Sequence, residues 1–171
     1  MADDITVIER PGQFALCISE TVPTMKLGKV MGPAYMEIME HLKSQGIECS
    51  DQDIPFARYR NLDWDTLNKK GPLAFIKMML VHKWEIDIGI PCPESTSGAG
   101  RIQAMTLESG KFVRTIHRGP YMKVGDTYKR IRAFATERNL VFKNYSMEFY
   151  LNDPCVVSAD QLETEVLVPL L

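Results

Sequence analysis

Residues 145–154 read YSMEFYLNDP: Tyr145, Ser146, Met147, Glu148, Phe149, Tyr150, Leu151, Asn152, Asp153, Pro154. Apolar and polar side chains alternate. Met147, Phe149 and Leu151 fall on one face, and Ser146, Glu148 and Tyr150 on the other, as in a strand. Asn152-Asp153-Pro154 ends it, because Asn and Asp bond back to local backbone and Pro cannot donate to a ladder. A carboxylate in the middle of that strand, flanked by tyrosines, needs a reason.

Working outward, residues 164–170 (TEVLVPL) read as a last strand. Upstream, Val124, Tyr128, Ile131, Phe134 and Ala135 form one stripe of a helix that starts at Tyr121 or Val124 and ends near Arg138. Before it, residues 101–107 and 111–117 are strand-like and joined by a turn at Glu108-Ser109-Gly110. The first half has the same order. Residues 5–10 (ITVIER) and 14–19 (FALCIS) are strands around Pro11-Gly12. A helix spans about 26–44, with Gly32-Pro33 predicting a proper start only at Pro33 and Gly46 fitting a C-cap. Residues 56–60 (FARYR) and 84–92 (WEIDIGIPC) are strands. Between them, residues 61–70 read as an excursion, and 73–83 (LAFIKMMLVHK) as a short helix or a strand, which periodicity does not decide. Residues 93–100 are a Pro/Ser/Gly-rich connection.

The two halves repeat. Phe14 matches Phe112 at an offset of 98, MKLG at 25–28 matches MKVG at 122–125 at 97, and FARYRN at 56–61 matches MEFYLN at 147–152. DIGIP at 87–91 matches EVLVP at 165–169. Each copy is strand–helix–strand–strand. The expected fold is α+β: one domain over residues 1–171, with repeat one at about 5–92 and repeat two at about 101–171. The copies form a pseudo-two-fold pair, an antiparallel sheet with helices on one side and a ligand cleft between the repeats.

Alternation predicts that Met147, Phe149, Leu151, Val166 and Val168 pack on the second helix, and Ile86, Ile88 and Ile90 on the first. Glu148, Tyr150, Glu165 and Leu167, with Ala57, Tyr59, Asp87 and Gly89, then face the cleft. Arg58 and Arg60 fall on the helix side, where they must snorkel. The cleft so drawn is aromatic and acidic. Aromatic faces hold cations and planar rings, and a partly desolvated carboxylate adds charge recognition or a general base. The repeat is asymmetric at its centre, since Ala57 stands where Glu148 stands. Read singly, a mid-strand Glu pairs across strands, and each tyrosine is packing.

Composition narrows the function. The chain has 171 residues, 45% of them hydrophobic and 25% charged, enough for a core without staples. A net charge of −2 argues against a nucleic-acid-binding face. Cys17, Cys49, Cys92 and Cys155 have no C-x-x-C spacing, and His41, His82 and His117 are scattered, so neither a metal nor a redox motif is present. The cysteines read as reduced core residues. No nucleotide or other cofactor signal is found. Met1-Ala2-Asp3-Asp4 lacks a basic leader, and the longest apolar run is interrupted by Lys77, so a soluble cytoplasmic protein is expected.

Residues 107–128 (LESGKFVRTIHRGPYMKVGDTY), 148–154 (EFYLNDP) and 162–169 (LETEVLVP) resemble the gyrase-inhibitor-like (GyrI-like) effector-binding domain. That domain is also found at the C-terminus of AraC-type and MerR-type regulators. The first half matches more loosely, and its 61–83 segment is longer than the family pattern. The resemblance implies a tandem SOUL-like fold that binds hydrophobic, often cationic or planar compounds. It places the pocket carboxylate on Glu148 and pocket aromatics on Tyr59, Tyr150 and Trp64, beside the Asp87 and Glu165 of the drawn cleft. It also implies an alternative, since stand-alone members hydrolyse reactive cyclopropane-containing compounds with a pocket Glu activating water. Glu148 would then be the base, with Tyr150 or Tyr59 positioning the ring or a proton. A third reading is a protein-interaction module directed at gyrase or a regulator. No helix-turn-helix is seen, so direct nucleic-acid binding is not expected, nor is membrane binding.

Overall fold

The computed structural model describes residues 5–64 and 82–171. Most of the 61–83 excursion, with nearly all of the 73–83 run that reads as a short helix or a strand, lies outside the described residues. Eight antiparallel strands and two long helices make up the described chain. They are β1 (Thr6–Arg10), β2 (Gln13–Pro23), α1 (Leu27–Ser44), β3 (Phe56–Tyr59), β4 (Lys83–Pro91), β5 (Gln103–Leu107), β6 (Gly110–Arg118), α2 (Val124–Glu137), β7 (Ser146–Tyr150) and β8 (Glu163–Pro169). The sheet order is β1-β6-β8-β7-β3-β4-β2-β5. That order is a palindrome of the repeat, with β7 and β3 at its centre.

The register refines the repeat. Ala15 lies opposite Pro91, and Phe112 opposite Pro169. Ala15, not Phe14, is therefore the counterpart of Phe112, and the offset is 97 from β1 through α1 rather than 98 in the strand. The same offset carries β1 onto β5. Each half is thus strand–strand–helix–strand–strand, and its leading strand is exchanged. β1 pairs with β6 of the second half, and β5 with β2 of the first.

Short links then force curvature. Only Pro11-Gly12 separates β1 from β2, although five strands, and so six inter-strand spacings, lie between them in the sheet. A flat sheet would hold them roughly 29 Å apart at about 4.8 Å per strand, whereas the link reaches about 11 Å. The sheet therefore curls toward a barrel that brings its edges together. β5 and β6 repeat the constraint through Glu108-Ser109.

Curling creates two cores. Inside the sheet, Phe56, Phe112, Phe149, Met147, Leu167 and Ala15 pack together with no helix residue among them. Burying each large side chain there contributes roughly 1.5–3 kcal/mol. On the outer face, α1 sets Ala34, Ile38 and Leu42 on Leu16, Ile18, Ile86, Ile88 and Ile90. There α2 sets Tyr128 and Ile131 on Val113, Val166 and Val168.

Three expectations are corrected here. Met147 and Phe149 belong to the inner core, and Glu148 and Tyr150 share the outer face with the helices. In an antiparallel ladder, directly opposed residues share a face, so Ala57 goes with Ile88 and Tyr59 with Ile86. Arg58 accordingly lies on the inner face opposite Asp87 and need not snorkel. Finally, α1 starts at Leu27 and runs through Pro33. Pro33 is exposed, so water can take the Lys29 carbonyl that the ring leaves without its helical donor. The C-cap holds: Gly46 has φ +74, and Ile47 N–H donates to Leu42 O at 3.1 Å. Of the cysteines only Cys17 is buried, while Cys49 and Cys155 are exposed. Among the described residues no helix is long and apolar enough to cross a membrane.

Candidate functional site

The site grows from the central pair of strands. β3 and β7 pair with Ala57 opposite Glu148, Phe56 opposite Phe149 and Tyr59 opposite Ser146. Ala57 and Glu148 are also each other's repeat counterparts. The pseudo-two-fold axis therefore passes between them, perpendicular to the sheet. Glu148 rises along this axis on the helix-bearing face, between α1 and α2.

Glu148 is 5% exposed, yet among the described residues no cationic side chain pairs with it. Its partners are phenols. Tyr128 of α2 donates to Oε1 at 2.9 Å, and Tyr150 to Oε2 at 3.3 Å. With Tyr150 donating onward, Tyr59 donates to the Tyr150 oxygen at 3.5 Å. Ser146 Oγ lies 2.8 Å from the Tyr128 hydroxyl and fills its acceptor side. Burial pushes the Glu148 carboxyl up to about 7, against the opposing pull of the hydrogen bonds from Tyr128 and Tyr150 and of the nearby Tyr59 hydroxyl. Burial and the Glu148 charge push the Tyr59 and Tyr128 phenols up, so they stay protonated and keep donating.

Aromatic rings complete the surround. Tyr121, just before α2, meets Tyr150 edge-on at 5.5 Å, and Trp84 of β4 meets Tyr59 edge-on at 5.4 Å. Tyr35 of α1 meets Tyr150 at 6.4 Å and donates to Phe56 O at 2.8 Å. Five of the six tyrosines thus gather around one carboxylate.

The structure brings together Glu148, Tyr59 and Tyr150 among the residues singled out in the sequence. Trp64 stands one ring further out. It stacks on Phe142 at 4.6 Å, leans on Tyr128 at 6.2 Å, and donates from Nε1 to Lys143 O. Asp87 and Glu165 lie elsewhere, on the inner face. Asp87 accepts from Ser19 and Arg58 and faces Arg60; Glu165 is held by Arg114 and Arg10. Sequence reasoning missed Tyr35, Tyr121, Tyr128 and Trp84. Tyr35 and Tyr128 sit on the apolar stripes of their helices and read there as packing, so only the tyrosine count hinted at them.

A family model described as the GyrI-like small molecule binding domain matches residues 77–171, more than half of the chain. No curated protein sequence matches. Solved structures with the same fold include the EcmrR C-terminal domain, at 16% identity and a TM-score of 0.79, covering 100% of this chain and 99% of that one. The EcmrR–DNA complex aligns at 16% identity and a TM-score of 0.77, over 97% of this chain, which spans 56% of that one. A hydrolase from Listeria innocua aligns at 14% identity and a TM-score of 0.69, covering 98% and 92% of the two chains. SAV2435 bound to tetraphenylphosphonium aligns at 13% and 0.63, covering 98% and 93%. At these identities the likeness is one of fold.

Proposed function

The chain belongs to the GyrI-like small molecule binding domain family, and we propose that it takes hydrophobic, cationic or planar compounds in the cleft over Glu148. The observation that carries this reading is the buried carboxylate with phenols and, among the described residues, no cation around it. Stripping a carboxylate of water is costly unless a charge answers it. A ligand cation would supply that charge, and the tyrosine and tryptophan faces add about 0.5–2 kcal/mol each through cation–π contact. The neighbouring fold of SAV2435 is bound to such a cation.

Titration with tetraphenylphosphonium and a cationic aromatic dye, followed by the fluorescence of Trp64 and Trp84, tests it. The expected dissociation constant is of micromolar order, about −8 kcal/mol. Glu148→Gln should weaken it roughly 10–100-fold, or about 1.4–2.8 kcal/mol. Absence of binding by every such compound would discard the reading.

A second reading rests on a separate observation. A carboxyl near pKa 7 is matched to a general base at neutral pH. Glu148 would take a proton from water as its oxygen attacks a strained ring carbon. The breaking carbon–carbon bond leaves its electron pair on the substrate, Tyr150 gives a proton there, and Glu148 passes the proton taken from water back to Tyr150 along their hydrogen bond. Mass spectrometry after incubation with a cyclopropane-bearing electrophile separates the two readings. A product heavier by one water supports hydrolysis, and recovery of unchanged compound supports binding alone.

A further inference from the structure

Among the described residues, Glu148 is the charged group at the pseudo-dyad, and an edge-on aromatic pair stands on either side of it. Tyr59 and Tyr150 are repeat counterparts, and their hydroxyls meet at 3.5 Å. The midpoint between two equivalent atoms lies on the axis that relates them. Tyr150 Oη in turn lies 3.3 Å from Glu148 Oε2, which puts the carboxylate within a few ångströms of that axis.

Each axial tyrosine has a close edge-on aromatic neighbour, at 5.4 Å and 81° for Tyr59–Trp84 and 5.5 Å and 83° for Tyr150–Tyr121, and Tyr150 has a second, Tyr35, at 6.4 Å and 71°. The neighbours come from non-equivalent positions. The counterpart of Tyr121 at the offset of 97 is Thr24, and Trp84 fills the space beside it, donating from Nε1 to Thr24 Oγ1 at 3.0 Å. Different residues therefore rebuild the same aromatic wall in both halves. An edge-on ring pair thus stands in each half, while Tyr35 and Tyr128 are rings whose counterparts are Arg132 and Met31, and at the centre Ala57 faces Glu148.

We propose that the cleft selects ligands whose positive charge lies between two aromatic arms, over isomers that carry the charge at one end. This rests on the binding reading above and adds the geometry of the ligand. A central charge seated at Glu148 lets one arm meet the Tyr59–Trp84 wall and the other the Tyr150–Tyr121 wall. A terminal charge at the same point sends both rings into one half, and the other wall goes without a partner. The broken centre also means that one carboxylate, on either side of the axis, suffices.

Two isomeric cations test this on the unaltered protein: dibenzyldimethylammonium, with the charge between its rings, and (biphenyl-4-ylmethyl)trimethylammonium, with the charge at one end. By calorimetry the first should bind at least about tenfold more tightly. Equal affinities, or a preference for the second, would overturn the inference and leave the binding reading standing. If neither bound, both would fall. A second arm moves the charge across the axis. Glu148→Ala should abolish the preference, and Ala57→Glu combined with Glu148→Ala should restore most of it. A doubly substituted protein that melts cooperatively and shows no recovery would count against the axial arrangement.

Discussion

Glu148 links stability to pH in an unusual direction for a carboxylate. Its folded pKa of about 7 lies above the ordinary value of 4.5. Between those values the unfolded chain binds fewer protons than the folded one, so stability falls as pH rises. The full contribution is present below about pH 4.5 and is lost through pH 7, up to about 3 kcal/mol by linkage. Melting temperature followed from pH 5 to 8 should show this fall, and Glu148→Gln should flatten it. Cation affinity should run the opposite way and rise through pH 7, because only the ionised form attracts the ligand. Tyr150→Phe removes a donor to the carboxylate, so it should raise the Glu148 pKa further, as read by carboxyl NMR. An unchanged or lowered value would mean that the phenol does not act on the charge. At this scale the sequence was half legible. Alternation told the two faces of β7 apart, but not which one carries the helix. Both faces are buried, so the more apolar set gave no guide, and it went to the inner core.

Among the elements, β3 and β4 meet more closely than their sequences suggest. A Cβ added at Gly89 would lie 2.5 Å from Cζ and 2.8 Å from Cε1 of Phe56. Gly89 has no unusual φ, and its role is to admit that ring, which lies across the strand pair. Gly89→Ala should destabilise the protein by about 1–3 kcal/mol, as overpacking does. It should also loosen ligand affinity, because Phe56 precedes Ala57 at the axis. Denaturant melts and a dye titration would measure both; a neutral effect on stability would show that the ring can step aside. Strand positions and the α2 boundaries were readable from period and turn residues. The span of α1, about 26–44, was readable too; the break expected at Gly32-Pro33 does not occur, because the carbonyl freed by Pro33 lies at the water-facing side and the helix continues through it.

For the whole molecule, the repeat was visible in short matched strings, but the exchange of leading strands was not. Residues 6–10 and 103–107 share almost no residue types, and pairing partners across the sheet leave no local pattern. The exchange predicts how the halves behave when parted. A protease site placed in residues 93–100 and then cut should leave the halves bound through gel filtration, with a melt close to that of the intact chain. Either half expressed alone should lack a cooperative melt. Dissociation of the nicked protein on the column would contradict the interlocked arrangement. The same feature sets a clock on synthesis. β1 leaves the ribosome well ahead of its partner, since β6 begins 100 residues after β1 ends. At about 5–20 residues per second that is a wait of roughly 5–20 s, during which residues 6–10 offer an open edge to any passing strand. The nascent chain is therefore at most risk of aggregating before its second half is made, and slowing translation through residues 11–110 should lower the soluble yield more than slowing it later.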